Sequence, residues 1–513
     1  GLPMQNNHLG FSWKQFWITF IYENLPPVLI SPIAALLIER SWHRTWYVCE
    51  NRNLWSLSAK YRPTSFMLFS WFLVYPCSWI ITVGFFATLF GHTVAPQIDS
   101  YQIVLAYMFL FLRRLIISVK YAYFTKEEFE ALSLPAPEWT FDRGSRKLVG
   151  IGWSSPTDYP GLLENEIEVS VKNSRSDMMS KNIRLNSVSI TNDDEVFVSP
   201  KLLLAGIINK AYATKKPRIY DAYVAVMALL IAILPPLIHS FLYPSSFSFL
   251  GEAYLGNIAR FLACLSGIGI MGFGLVCAFD FRRRYDALVL LRTLVEPSGL
   301  KLSLFSELNL EKRNFRDQEF KLTLLDPQNI MAFMEIRNCI IRFGEQFYLR
   351  IQGYTSILIL SAVFAVIMLN SIIWTQASHH LTTIVMIILI ISAVGSISLF
   401  AMFNAIRLQK LRVADIDFLR TECLAMECST ASTNQNKNTI SSEGKSIVIL
   451  QRAIDTATFT DLTHAPTGIL GQAADNKLIT SILGILITGC LLAVQGFVDI
   501  GITYDALGWS NLE

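Results

Sequence analysis

The sequence predicts an all-α polytopic membrane protein with seven transmembrane helices, a cytosolic amino terminus, an outer carboxyl terminus, and cytosolic helical extensions of spans four to six. Three observations carry this: a shortage of charge, recurrent apolar runs of spanning length, and a one-sided distribution of Lys and Arg. Of 513 residues, 52% are hydrophobic and only 16% are charged, with a mean hydropathy of +0.40. Soluble proteins carry about 25% charged residues, so part of this chain's solvent is lipid. The formal net charge of +3, with no basic cluster on a soluble module, argues against nucleic acid as a partner.

The segment 1–65 reads as a cytosolic or interfacial amino-terminal region. Its first residue is Gly1 rather than Met, which raises the expectation that the start is missing or altered, and no signal-peptide pattern opens it. Within it the stretch Phe16 to Ile38 is interrupted by Glu23, Asn24 and the Pro26-Pro27 pair, so it reads as interfacial or re-entrant, with spanning as the alternative.

Seven apolar runs follow: Phe66 to Phe90, Tyr101 to Tyr121, Tyr220 to Leu242, Asn257 to Phe279, Tyr354 to Trp374, Leu381 to Met402, and Leu478 to Ile500. At about 1.5 Å per residue each can cross roughly 30 Å of hydrocarbon. The domain order is then 66–121 for the first two spans, 122–219 for a partly disordered cytosolic loop, and 220–279 for spans three and four. A cytosolic helical extension (280–353) leads to spans five and six (354–402). A second extension and loop (403–477), the last span (478–500) and an outer tail (501–513) complete the chain.

Orientation follows from the connections, because Lys and Arg near span ends are retained on the cytoplasmic side. Gly91 to Ser100, Tyr243 to Gly256, Thr375 to His380 and the tail Gly501 to Glu513 contain no Lys or Arg and are expected outside. The alternate connections carry Lys120, Lys126 and the Lys215-Lys216-Pro217-Arg218 cluster, then Arg282 to Arg284, then Arg407, Lys410 and Arg412, and are expected inside. This orientation is opposite to that of G-protein-coupled receptors. Asp99, Glu252, Asp499, Asp505 and Glu513 give the outer face a negative character that concentrates cations.

The inner loop after span two begins turn-rich and becomes polar from Val171 to Asp194, which predicts a lack of regular structure there; Ser429 to Gly444 is a second polar patch. Asp280 to Val295, Pro327 to Arg350 and Arg407 to Cys428 have apolar residues at helical spacing and prolong spans four to six. Of the eight cysteines none falls in an expected outer loop, and the isolated pair Cys423 and Cys428 reads as reduced helix residues rather than a metal site. No cofactor and no catalytic motif is expected: H-E-x-x-H, a P-loop, a Rossmann glycine pattern and a serine-nucleophile elbow are all missing.

In the last span Thr488, Leu492, Gln495 and Asp499 are spaced by four, three and four residues, which places them on one helix face. Polar groups facing lipid are costly, so this face is expected against protein or water. Around a symmetry axis it would form rings of threonine, leucine, glutamine and aspartate, with leucine able to gate by dewetting. The alternative is structural, with Thr488 bonding its own backbone and Gln495 bridging to another helix. Arg113 and Arg114 in span two lie within the membrane if the span ends near Tyr121. They mark the inner interface if the helix begins near Val94, which is preferred because arginine snorkels readily.

Ser446 to Phe497 resembles the carboxyl-terminal region of the insect gustatory and odorant receptor superfamily, in the manner of a divergent gustatory receptor-like protein. It reads as a short cytosolic helix, a Phe-Thr turn, an Ile-Leu-Gly knuckle and a final span. That family closes its last span with T-Y, five hydrophobic residues and Q-F. Thr488 and Gln495 keep the spacing across Cys490 to Val494, while Gly489 replaces the tyrosine and Gly496 the phenylalanine. The resemblance implies a chemoreceptor-like, ligand-gated cation channel in the plasma membrane, assembled as a homotetramer with the last span lining the pore. It also implies a small-molecule pocket in the outer halves of the spans, where Tyr101, Tyr107, His239, Tyr243, Asn370 and Trp374 stand. A secondary transporter, for which Pro235-Pro236 could break span three, and a non-conducting scaffold are the competing classes.

Overall fold

The computed structural model describes residues 13, 16–17, 20–21, 75–90, 100–122, 167–172, 184–185, 188–190, 195–198, 200–213, 218–242, 254–295, 300–301, 319–322, 324, 326–342, 345–374, 381–432, 440–463, 468–470 and 472–506. The fold is predominantly helical. Among the described residues four helical stretches are long and apolar enough to cross a membrane by length and composition: Phe261–Thr293, Tyr348–Trp374, Ile384–Cys428 and Asn476–Gly496; Cys77–Leu89 is a shorter apolar helix. The chain is accordingly a multi-pass membrane protein.

The helices are α1 (Tyr75–Leu89), α2 (Ser100–Ala122), α3 (Pro200–Ala213), α4 (Arg218–Leu242), α5 (Tyr254–Thr293), α6 (Pro327–Arg342), α7 (Glu345–Trp374), α8 (Leu381–Ser432), α9 (Ile440–Thr463) and α10 (Asn476–Ala506). With 40 and 52 residues, α5 and α8 extend over about 60 and 78 Å, twice the hydrocarbon thickness or more, so each continues well beyond its apolar part. This is the expected prolongation of spans four and six. On the approach to the expected span five, α6 covers Pro327–Arg342 and α7 covers Glu345–Trp374.

α5 and α8 form the most extensive helix pair, with α4, α7 and α2 packed around them. Small buried residues, among them Ala278, Ala362, Ala393, Ala401 and Ala405, let the backbones approach. Gly274 of α5 is the tightest point, where an added Cβ would run into Ile397 of α8 and lie 3.1 Å from Leu358 of α7. Hydroxyls in these apolar helices are satisfied locally, as where Thr355, Ser361 and Ser398 donate to the carbonyl four residues earlier. The Pro235-Pro236 pair does not divide its helix, since α4 is continuous from Arg218 to Leu242.

Arg114 is buried, and its guanidinium donates to the hydroxyls of Ser78 at 2.7 Å and Thr82 at 3.3 Å on α1. Two hydroxyls one turn apart on the facing helix thus serve as acceptors for it. Where α5 to α9 extend past their apolar parts, charge replaces small residues as the connector. Asp280 and Arg284 pair at 2.8 Å one turn apart on α5, and Arg284 also lies 4.5 Å from the ring of Tyr348 on α7. Arg337 of α6 and Arg412 of α8 share Asp461 of α9, at 3.0 and 2.7 Å.

A six-stranded antiparallel sheet was not anticipated. Its strands are β1 (Ile167–Lys172), β2 (Arg184–Leu185), β3 (Val188–Ile190), β4 (Glu195–Val198), β5 (Leu300–Lys301) and β6 (Glu319–Lys321), in the order β2-β3-β4-β1-β6-β5. Val171 to Asp194, expected without regular structure, contributes the end of β1 and all of β2 and β3. In the ladders Val169 is registered with Val196 and Val188 with Val198. Strand β1 also pairs with β6, which joins the segment between α2 and α3 to the segment between α5 and α6.

Candidate functional site

The approach to α10 is a hairpin of β7 (Gly468–Ile469) and β8 (Gln472–Ala473), with Ile469 opposite Gln472. Leu470 at its turn has φ 54°, the left-handed region that a bulky side chain rarely occupies. Its N–H is held by Ser356 Oγ of α7 at 2.9 Å, and the neighbouring Ile469 is fully buried. These residues are the expected Ile-Leu-Gly knuckle. The Phe-Thr pair before it is not a turn, because Phe459 and Thr460 lie inside α9, which continues to Thr463. Asp475 then caps α10 by accepting the Leu478 N–H at 2.8 Å.

Helix α10 packs chiefly on α7 and only slightly on α8. The stripe against α7 is Leu478, Ile482, Leu486, Gly489, Ala493 and Gly496, at spacings of three and four and buried apart from the half-buried Gly489. Two glycines of this stripe have a structural reason. A Cβ at Gly489 would collide with Val366, and one at Gly496 would lie 2.7 Å from Ile373 and 3.2 Å from Trp374. An aromatic residue at either position would force α10 away from α7.

Next to this stripe runs an open one. Lys477, Ser481, Gly484, Thr488, Leu492 and Gln495 are all exposed and follow at spacings of four, three, four, four and three. Asp499 continues the series by four more on the same helix, although its side chain lies outside the described residues. Thr488 and Gln495 therefore face away from α7, which does not supply an interhelical partner for the glutamine. Leu492 is 46% exposed between them. The remaining arc, with Ile487, Leu491, Val494 and Val498, is apolar and exposed, as a lipid-facing surface requires. Lys477 and Ser481 belong to the stripe but were not recognised as such; the same three-and-four spacing, continued toward the amino terminus, would have found them.

Three of the six pocket candidates have described side chains, and these lie at two places. Tyr107 stacks on Phe85 with ring centroids 4.0 Å apart and also meets Phe86 and Phe111, an aromatic cluster between α1 and α2. Asn370 and Trp374 lie on the α7–α10 seam, and Asn370 Nδ2 donates to the Gly489 carbonyl at 2.9 Å. Tyr101 and His239 stand on α2 and α4, with side chains outside the described residues, as is all of Tyr243. No family model, curated protein or solved structure matches the chain.

Proposed function

We propose that the protein is a chemoreceptor-like, ligand-gated cation channel subunit that assembles as a homotetramer in the plasma membrane, with α10 lining the pore. The observation that carries this reading is the three-sided character of α10: one stripe seated on α7, one apolar arc suited to lipid, and one exposed stripe bearing Thr488 and Gln495. A helix in lipid does not leave amide and hydroxyl groups on its outer side without cost. Four copies arranged about an axis place that stripe against water, with Leu492 as the dry constriction and Gln495 one turn further out.

The reading includes seven spans, a cytosolic amino terminus and an outer carboxyl terminus. These rest on the Lys/Arg-free outer connections and on the last-span resemblance to gustatory receptor-like proteins. The unbroken α4 speaks for a channel over a transporter with discontinuous helices. A small molecule bound from outside would bias the gate through different affinities for the open and closed states. The test is the particle formed by the full chain in lipid nanodiscs, combined with current recorded after reconstitution. Four-fold particles and cation current support the channel; a monomer with a central cavity and no current would replace it with a transporter.

A further inference from the structure

The open stripe of α10 is bracketed by charges of opposite sign, and we propose that Lys477 makes the pore pass inward cation current more readily than outward current. This rests on the channel reading above. Between Leu478 and Val498 there is no charged residue, so Lys477 and Asp499 are the first ionic groups at either end of the stripe. They are 22 residues apart in one continuous helix, a rise of about 33 Å that matches the hydrocarbon thickness of roughly 30 Å. Lys477 is exposed, in line with Ser481 and Thr488, and forms no ion pair among the described residues.

The carboxylate nearest along the chain, that of Asp475, offsets it only in part. Asp475 is turned to the start of its own helix, where it accepts the Leu478 N–H, and its charge is opposed by the positive end of the helix dipole. In a four-fold assembly four ammonium groups would stand at the cytosolic mouth and four carboxylates at the outer one. At physiological salt the Debye length is about 8 Å, comparable to the width of a narrow mouth, so the inner ring lowers the local concentration of cations on the cytosolic side while the outer ring raises it outside. Cations therefore enter from outside more easily than from within. The competing role for Lys477 is that of an anchor reaching lipid phosphates, which would have no effect on the direction of current.

The experiment records single channels of the full chain with the same monovalent salt on both sides, comparing currents at equal and opposite voltages for wild type, K477R, K477Q and K477E. Wild type and K477R are expected to rectify inward. The ratio of inward to outward current should fall by about twofold or more in K477Q and further in K477E, and the differences should shrink when salt is raised from about 0.15 M to about 1 M. Unchanged rectification in K477E, with conducting channels, would overturn the proposal and leave Lys477 as a lipid anchor while the channel reading stands. Membrane-inserted wild-type protein that passes no current would overturn both.

Discussion

Asn370 of α7 donates from one amide nitrogen to two carbonyl oxygens, that of Val366 in its own helix and that of Gly489 in α10, each at 2.9 Å. The second bond is made possible by the first feature of the seam: without a side chain at Gly489, Val366 fits against the α10 backbone. One residue thus ties α10 to the bundle at the point where the two helices come closest, which makes Asn370 a positioning residue for the open stripe on α10's other side.

The seam can be tested by a double-mutant cycle. Gly489→Ala should destabilise the protein by about 1–3 kcal/mol through overpacking. Val366→Ala in the same chain should recover much of that loss, since contacting residues couple by about 0.5–3 kcal/mol. Asn370→Leu should cost about 0.6–2 kcal/mol, the range for hydrogen bonds between membrane helices. Thermal unfolding in one fixed detergent reads Gly489→Ala, Val366→Ala, their double variant and Asn370→Leu; a tolerated Gly489→Ala without Val366→Ala would mean that the helices do not approach so closely.

The cluster of Arg337, Arg412 and Asp461 predicts an order of severity. Asp461→Asn leaves two buried guanidiniums without their shared carboxylate and should cost about 3–5 kcal/mol. Arg412→Met leaves Arg337 and Asp461 as a neutral pair and should cost distinctly less. Unfolding measured on the two variants checks the order, and equal losses would show that packing rather than charge holds α6, α8 and α9 together.

Long elements were legible in the sequence and short-range chemistry was not. The stretches that became α5, α7, α8 and α10 announce themselves by apolar length, and the continuation of α5 through Ala287, Leu288 and Leu291 by helical spacing. The sheet escaped because its strands are two to six residues long and sit in a polar background, where pairing with distant β6 supplies what local pattern does not. Gly489 and Gly496 read as lost aromatics because nothing in α10 says that Val366 and Ile373 occupy the space. The bond from Asn370 was not legible either: its acceptor, a backbone carbonyl 119 residues later, has no signature in sequence. The stripe on α10 was half legible, since its spacing was visible from Thr488 onward and its exposure was not.

The orientation has a direct check. An epitope after Glu513 should be accessible to antibody on intact cells, and one before Gly1 only after permeabilisation, because the outer connections lack Lys and Arg. Detection of the amino-terminal tag alone from outside would invert the entire topology.

The pore itself is tested along α10. Leu492 stands on the open stripe between Thr488 and Gln495, so Leu492→Ser should hydrate the constriction and raise current in the absence of any ligand. Asp499→Asn should leave assembly intact and weaken the preference for cations over anions, because four carboxylates at a mouth create a negative potential that salt screens only in part. Cysteine substitutions read with a water-soluble thiol reagent separate the three sides of the helix. Gln495→Cys should react and alter current. Leu491→Cys, on the exposed apolar arc, should be shielded by lipid, and Ala493→Cys, 3% exposed against α7, should be shielded by protein. The two controls differ in what covers them, so general disorder of α10 would make both reactive, whereas a water path on the opposite side would make Leu491→Cys reactive and leave Gln495→Cys protected. That last pattern would remove the open stripe from the pore and with it the present assignment of the helix.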